Sequence, residues 1–137
     1  MATKLSNSLA DAKLAAVTTA CNTGYLRIYD GTEPANANIA LSGNTLLAEL
    51  RFGSPSFGAA ATSGSDRAIT ANAFTQDDAA NATGTATFFR AFQSNGSTVV
   101  FQGTVGTSGQ QLNLTSTSIV VDGPVQVTSM TYTQPTA

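Results

Sequence analysis

Histidine and tryptophan are absent from the 137 residues, cysteine occurs once, and only 10% of the side chains carry a charge. Each shortage closes off a class of function. Without histidine there is no Ser-His-Asp or Cys-His nucleophile arrangement, and most zinc sites go with it. Without tryptophan a glycosidase cleft lacks a favoured stacking surface. The single Cys21 cannot make an internal disulfide; it reads as a small buried residue near a helix end, with intermolecular pairing or thiol reactivity as the other reading. The six Lys and Arg residues are spread singly. Nucleic-acid binding by counterion release needs them clustered, so no nucleic-acid partner is expected. No apolar run approaches the ~20 residues of a membrane span. Asp11 and Lys13 interrupt the one N-terminal stretch that could pass for a signal peptide.

In place of charge the chain carries Ser, Thr, Asn, Gln, Gly and Ala. The resulting surface is polar but nearly uncharged, as suits a protein packed against copies of others. A net charge of −2 together with regular apolar runs argues for order rather than disorder. The length suits one domain, residues 1–137, burying roughly two-thirds of its unfolded surface.

The strongest local pattern is Thr85–Val105, two aromatic and β-branched runs flanking Asn95-Gly96. A two-residue loop there sets Phe92 opposite Val99, Arg90 opposite Phe101 and Phe88 opposite Gly103. Phe88, Arg90, Phe92, Val99 and Phe101 then share the expected core face, with Phe88 over the bare Gly103 backbone. Phe89, Ala91, Val100 and Gln102 take the other face. Phe89 and Val100 make that face apolar too, so it needs a cover: the N-terminal helix or a neighbouring subunit.

Residues 6–21 form the one helix candidate. Ser6 or Asn7 caps it, and Leu5, Leu9, Ala12 and Ala16 recur at helical spacing beside a second stripe of Leu14, Val17 and Cys21. Asn22-Thr23-Gly24 ends it. Strands are predicted at Tyr25–Tyr29 and at Leu46–Phe52. In the second, Leu46, Ala48, Leu50 and Phe52 alternate with Glu49 and Arg51, the mark of an antiparallel strand with one wet face. An irregular polar connection joins them. Residues 53–66 are Gly-, Ser- and Ala-rich with Phe57 as anchor, residues 68–73 suit an edge strand, and residues 75–84 suit a loop. Further strands fall at residues 110–114, with Leu112 and Leu114 inward, at 118–121, and at 125–133 with a bulge near Thr128-Ser129. About eight short strands joined by Gly, Asn and Asp turns predict a mainly β fold. The expected architecture is an antiparallel β-sandwich of jelly-roll or Greek-key type over residues 25–134, preceded by one helix.

No residue pattern here predicts catalysis, a cofactor or a metal. Asp77-Asp78 reads as a solvated pair, and a glycosidase pair from Asp30, Glu33, Glu49 and Asp66 requires folding to bring two around one cleft. Asp30 and Glu33 fall short of a calcium loop, and a turn stabilised by Asp30 accounts for them. Gly103–Gly109 lacks the lysine and following helix of a phosphate loop. Three Asn-X-Ser/Thr matches, at Asn81, Asn95 and Asn113, are what chance gives in so Asn- and Thr-rich a chain. Arg90, on an apolar strand face, reads as stacked on Phe101 or at a rim position, with a subunit contact as the functional reading.

Six segments in series resemble a family of small structural proteins of tailed bacteriophages and prophages. They are N-S-L-A-D-A-K-L in the helix, L-R-I-Y-D-G-T-E-P at Leu26–Pro34, L-L-A-E-L-R-F at Leu46–Phe52, P-S-F-G-A-A at Pro55–Ala60, A-T-G-T-A-T-F-F-R at Ala82–Arg90 and G-T-V-G-T-S-G-Q-Q-L-N-L at Gly103–Leu114. Such relatives tend to carry tryptophan where this chain has Phe88. The resemblance implies a non-enzymatic virion component, made in the host cytoplasm and placed on the capsid surface. Its implied role is that of a decoration (cement) protein binding the major capsid protein as a homo-oligomer, a trimer by preference. The expected interface residues are Arg27, Tyr29, Phe89, Arg90 and Val100. A tail or head-fibre component is the alternative. A carbohydrate-binding module stacking sugar on Tyr25, Tyr29 and Tyr132 is a further one.

Overall fold

The computed structural model describes residues 3–136. Helix α1 (Asn7–Cys21) precedes strands β1 (Tyr25–Tyr29), β2 (Leu46–Arg51), β3 (Ala61–Ser63), β4 (Asp66–Thr70), β5 (Gly84–Thr85), β6 (Phe88–Phe92), β7 (Val99–Gly106), β8 (Leu112–Leu114), β9 (Ser118–Ile119) and β10 (Val127–Gln134). Eight strands join in one mixed sheet, in the order β2-β1-β6-β7-β8-β10-β4-β3, while β5 and β9 make a separate ladder. The sheet curls on itself: Leu26 and Leu50 from one side meet Ile69 and Met130 from the other in a single core. Residues 71–77 tie the two sides together. Ala71 donates to the Met130 carbonyl, Thr75 exchanges hydrogen bonds with Arg51, and Val125 donates to the Asp77 carbonyl. The result is the expected mainly β, sandwich-like fold with one N-terminal helix, its two layers supplied by one curled sheet.

Helix α1 begins where the Ser6 hydroxyl accepts a hydrogen bond from the Leu9 amide at 3.1 Å, filling one of the unpaired first-turn donors. At its other end Thr23, rather than a glycine, takes the left-handed conformation, with φ +55°. Gly24 is reserved for a close approach, since a Cβ there would lie 2.0 Å from the Phe92 carbonyl oxygen. Ala10, Leu14 and Cys21 are buried, whereas Leu9, Ala12 and Ala16 are exposed. The stripe with the larger inward residues wins the core. Arg67 on β4 grips Asp11 from that side at 2.8 Å, fixing the helix's rotation.

Two bulges explain where simple alternation fails. Ile28 pairs with Ala48 but Tyr29 with Leu46, so Leu47 is the extra residue of β2. Leu47 and Ala48 are both fully buried as a consequence, in place of the expected Leu46. The second bulge corrects the hairpin. Phe92 faces Val99 as expected, but Ala91 then faces Phe101, Arg90 faces Gln102, Phe89 faces Gly103 and Phe88 faces Thr104. Val100 is the inserted residue, and beyond it every side chain of β7 changes partner. Phe89 therefore lies over Gly103, where a Cβ would come within 2.8 Å of its ring. Phe89 and Ala91 join the core, with Val100 and Phe101 packed against it, while Phe88 and Arg90 face outward from it.

The hairpin tip is wider than a two-residue turn. Gln93 donates to the Thr98 carbonyl and Gly96 to the Gln93 carbonyl. The Asn95 side chain accepts from the amides of Ser97 and Thr98 at 2.9 and 3.0 Å. Only Gly96 is left-handed, at φ +72°. The asparagine carboxamide thus competes with the backbone ladder and sets the loop.

Two further expectations are corrected. β7 and β8 run parallel, through Val105↔Leu112 and Gly106↔Asn113, so the sheet is mixed. The connecting residues loop back through Gly109 at φ +71°. β4 is interior, paired to both β10 and β3, and the edge position falls to the exposed β3. The expected bulge in the last strand is present, between Val127 and Ser129.

Candidate interaction surface

The outward face of β2-β1-β6 concentrates the chain's arginines and rings. On β1, Tyr25 pairs with Arg51 of β2 and Phe92 of β6, and Arg27 pairs with Glu49 and Arg90. The Arg27 guanidinium lies 4.6 Å from the Phe92 ring centre and 5.1 Å from that of Tyr25, and Arg51 lies 4.1 Å from the Tyr25 centre. Arg27 also donates to Glu49 at 2.6 Å and to the Gly96 carbonyl at 2.7 Å, pinning the hairpin tip to β1. Arg51 donates to the Tyr25 hydroxyl and to the Thr23 carbonyl. Arginine planes stacked on rings and locked by hydrogen bonds form a rigid ladder that stays open to solvent at Arg51 and in part at Tyr25, Arg27 and Glu49.

The rest of this face is roofed by the chain itself. Tyr29 stacks on Phe88 with ring centres 5.3 Å apart. Residues 31–44 cross over them as a loop closed at its base, where the Asp30 amide donates to the Thr45 carbonyl and the Thr45 amide to the Asp30 carboxylate. Arg90, only 4% exposed, holds this loop from beneath by donating to the carbonyls of Ile39 and Asn36 and to the Gln102 side chain. Gln102 in turn donates to the Pro34 carbonyl at 2.7 Å. Burial raises the Tyr29 hydroxyl above its ordinary pKa, with the Arg27 and Arg90 charges pulling the other way.

Of the five expected interface residues, the fold leaves Arg27 on the open ladder. Phe89 is fully buried between β7 and the core, and Tyr29 and Arg90 lie under the 31–44 loop. Val100 is half-buried at the bulge, packed on the core. Of the two covers expected over the face of Phe89 and Val100, the fold supplies the N-terminal helix, and the loop covers Arg90 on the other face.

The acidic side chains serve the backbone. Asp77 accepts from the amides of Glu49 and Ala79, and Asp30 closes the base of the long loop rather than a local turn. The three tyrosines do not line one groove: Tyr29 is buried, Tyr25 carries Arg51 against its ring, and Tyr132 packs edge-on against Phe101. Among the described residues no group of three His, Cys, Asp or Glu side chains is placed to hold a metal, and no helix is long and apolar enough to cross a membrane. Burial pushes the Cys21 thiol up to about 12, which suits a packed residue rather than a nucleophile. An open groove of about 550 Å³ runs between α1 and the segment Phe57–Ala60, floored by Leu14, Phe57 and Ile69. Its one acid, Asp11, is held below the usual carboxylate range by its hydrogen bonds to Arg67.

Two features escaped the sequence reading. The pairing of Arg51 with Tyr25 follows from the β1–β2 register, and the alternation of Glu49 and Arg51 was its only sequence signal. The strand expected over 118–121 ends at Ile119, leaving Val120 and Val121 exposed, and Asp122-Gly123-Pro124 immediately after them is the sequence mark of that turn tip. Compared with protein-family models, curated proteins and solved structures, the chain finds no match.

Proposed function

We propose that this chain is a non-enzymatic virion structural protein, a capsid decoration protein that binds the assembled shell of a tailed phage and stabilises it. The observation that carries the reading is the open Tyr25–Arg27 ladder, backed by the buried Phe92 ring, with Arg51 at its edge. Tyrosine and arginine held rigid before contact bind at low ordering cost, which is the composition of an interface hot spot. The series of phage-like segments and the charge-poor surface support the same reading. The partner is the major capsid protein. A decoration trimer at the shell's local threefold positions would repeat each contact by rotation and favour the assembled state by mass action.

The test is to mix the purified chain with undecorated shells of the phage that encodes it. Co-sedimentation and a raised shell melting temperature are expected, and Arg51→Glu should abolish both while leaving the free protein folded. A wild-type chain that neither sediments with shells nor alters their melting overturns the proposal. Electron microscopy of the intact virion locates the chain, and density on the tail or a head fibre would replace the capsid by that partner.

A further inference from the structure

Among the described residues four large apolar side chains are exposed: Leu9, Ile39, Val120 and Val121, at 47%, 44%, 60% and 47%. Three of them lie in two patches of opposite charge. Leu9 starts the outward stripe of α1, continued by Ala12 and Ala16, and Lys13 stands one turn on from it, making no ion pair with a described residue. At the second patch, Val120 and Val121 form the tip of a tight turn that continues directly into the exposed Asp122. That tip is rigid. The Val121 amide donates to the Thr83 hydroxyl, Asp122 and Ala80 exchange backbone bonds with each other's segment, and Gly123 donates to the Val120 carbonyl. Asp122 is held left-handed at φ +66°. Its carboxylate is exposed and free of ion pairs with described residues.

We infer that the outward stripe of α1 on one copy receives the Val120–Val121 tip of a second copy, with Lys13 facing Asp122. Charge complementarity selects this occupant. Two α1 stripes facing each other would set lysine near lysine without an acid in the seam, and two valine tips would oppose aspartates. Because the joined patches differ, the contact is head-to-tail, and copies related by rotation close into a ring. The inference goes beyond shell binding and stands without it, because self-association is read in solution with no shell present.

Sedimentation velocity of the full chain over a concentration series tests it. Lys13→Asp and Asp122→Lys are each expected to weaken self-association about tenfold, and the double variant to restore it. Both sites are exposed, and a cooperative melting transition in each variant confirms folding. Val120→Ser should weaken association without changing its salt dependence. Mixing Leu9→Cys with Val121→Cys under mild oxidation should give the mixed disulfide. A monomeric wild type at every concentration, a double variant as weak as the singles, or disulfides only between two Leu9→Cys chains would each overturn the inference.

Discussion

Replacing Gly103 by alanine tests the bulge at Val100. In the observed register the new methyl would stand 2.8 and 2.9 Å from two carbons of the Phe89 ring and 3.1 Å from the Gln111 carboxamide oxygen. Phe89 is fully buried, so its ring has no solvent side to yield toward. Overpacking of this kind costs about 1–3 kcal/mol, and alanine's smaller unfolded-state entropy returns ~0.4–1 kcal/mol. The net loss is about 1–2 kcal/mol. With an unfolding entropy near 0.3 kcal/mol/K for a chain of this size, the melting temperature should fall by roughly 3–7 °C. Phe89→Leu alone should cost about 1–2 kcal/mol in lost ring burial. In that background Gly103→Ala should be close to neutral, giving a coupling of about 1–2 kcal/mol by double-mutant cycle. Phe88→Leu, on the opposite face, should add to Gly103→Ala within about 0.5 kcal/mol. Coupling to Phe88 in place of Phe89 would refute the bulged register and reinstate the simple two-residue hairpin.

Arg90→Ala removes the charged donor beneath the 31–44 loop and should cost about 2–3 kcal/mol in urea unfolding. Hydrogen exchange should rise across residues 34–40, and a stability loss with no added exchange there would contradict the strap. The raised Cys21 thiol lends stability that is complete below its ordinary value of 9.0 and is lost as pH climbs toward about 12. Native protein at pH 8 should resist iodoacetamide until unfolded, and Cys21→Ala should flatten the alkaline decline. For Asp11 the sign is reversed: its lowered pKa lends stability present above the usual 3.8 and lost as pH falls through and below it. Melting curves of Asp11→Asn between neutral and acid pH should show a smaller acid decline than wild type.

The sequence displayed what depends on local chemistry. Ser6 capping, the helix span, the inward Leu112 and Leu114, and the bulge near Thr128-Ser129 all follow from residues within a few positions of one another. Bulges at Leu47 and Val100 leave no such mark. An extra residue in a run of apolar side chains preserves the composition while exchanging the faces, so Phe88 and Phe89 look equivalent until a glycine on the opposite strand decides between them. The fate of Arg90 was hidden for a similar reason. Its partners are the carbonyls of Asn36 and Ile39, more than fifty positions away, and backbone carbonyls belong to no motif. Of the expected interface residues only Arg27 marked the open surface, because exposure is settled by which loop crosses which strand.

The two margins of the sheet are finished differently. Along β2 the outer backbone is already occupied: Arg51 and Thr75 exchange bonds, Glu49 donates to the Asp77 carboxylate, and Asn81 donates to the Leu47 carbonyl. β3 lies bare on the far margin. Backbone-to-backbone stacking of copies through the large sheet therefore terminates at a pair, since a third molecule meets no vacant margin of that sheet. Crowded at high local density, such molecules do not zip into fibres through it, and an ordered array that grows past the pair is joined by other contacts.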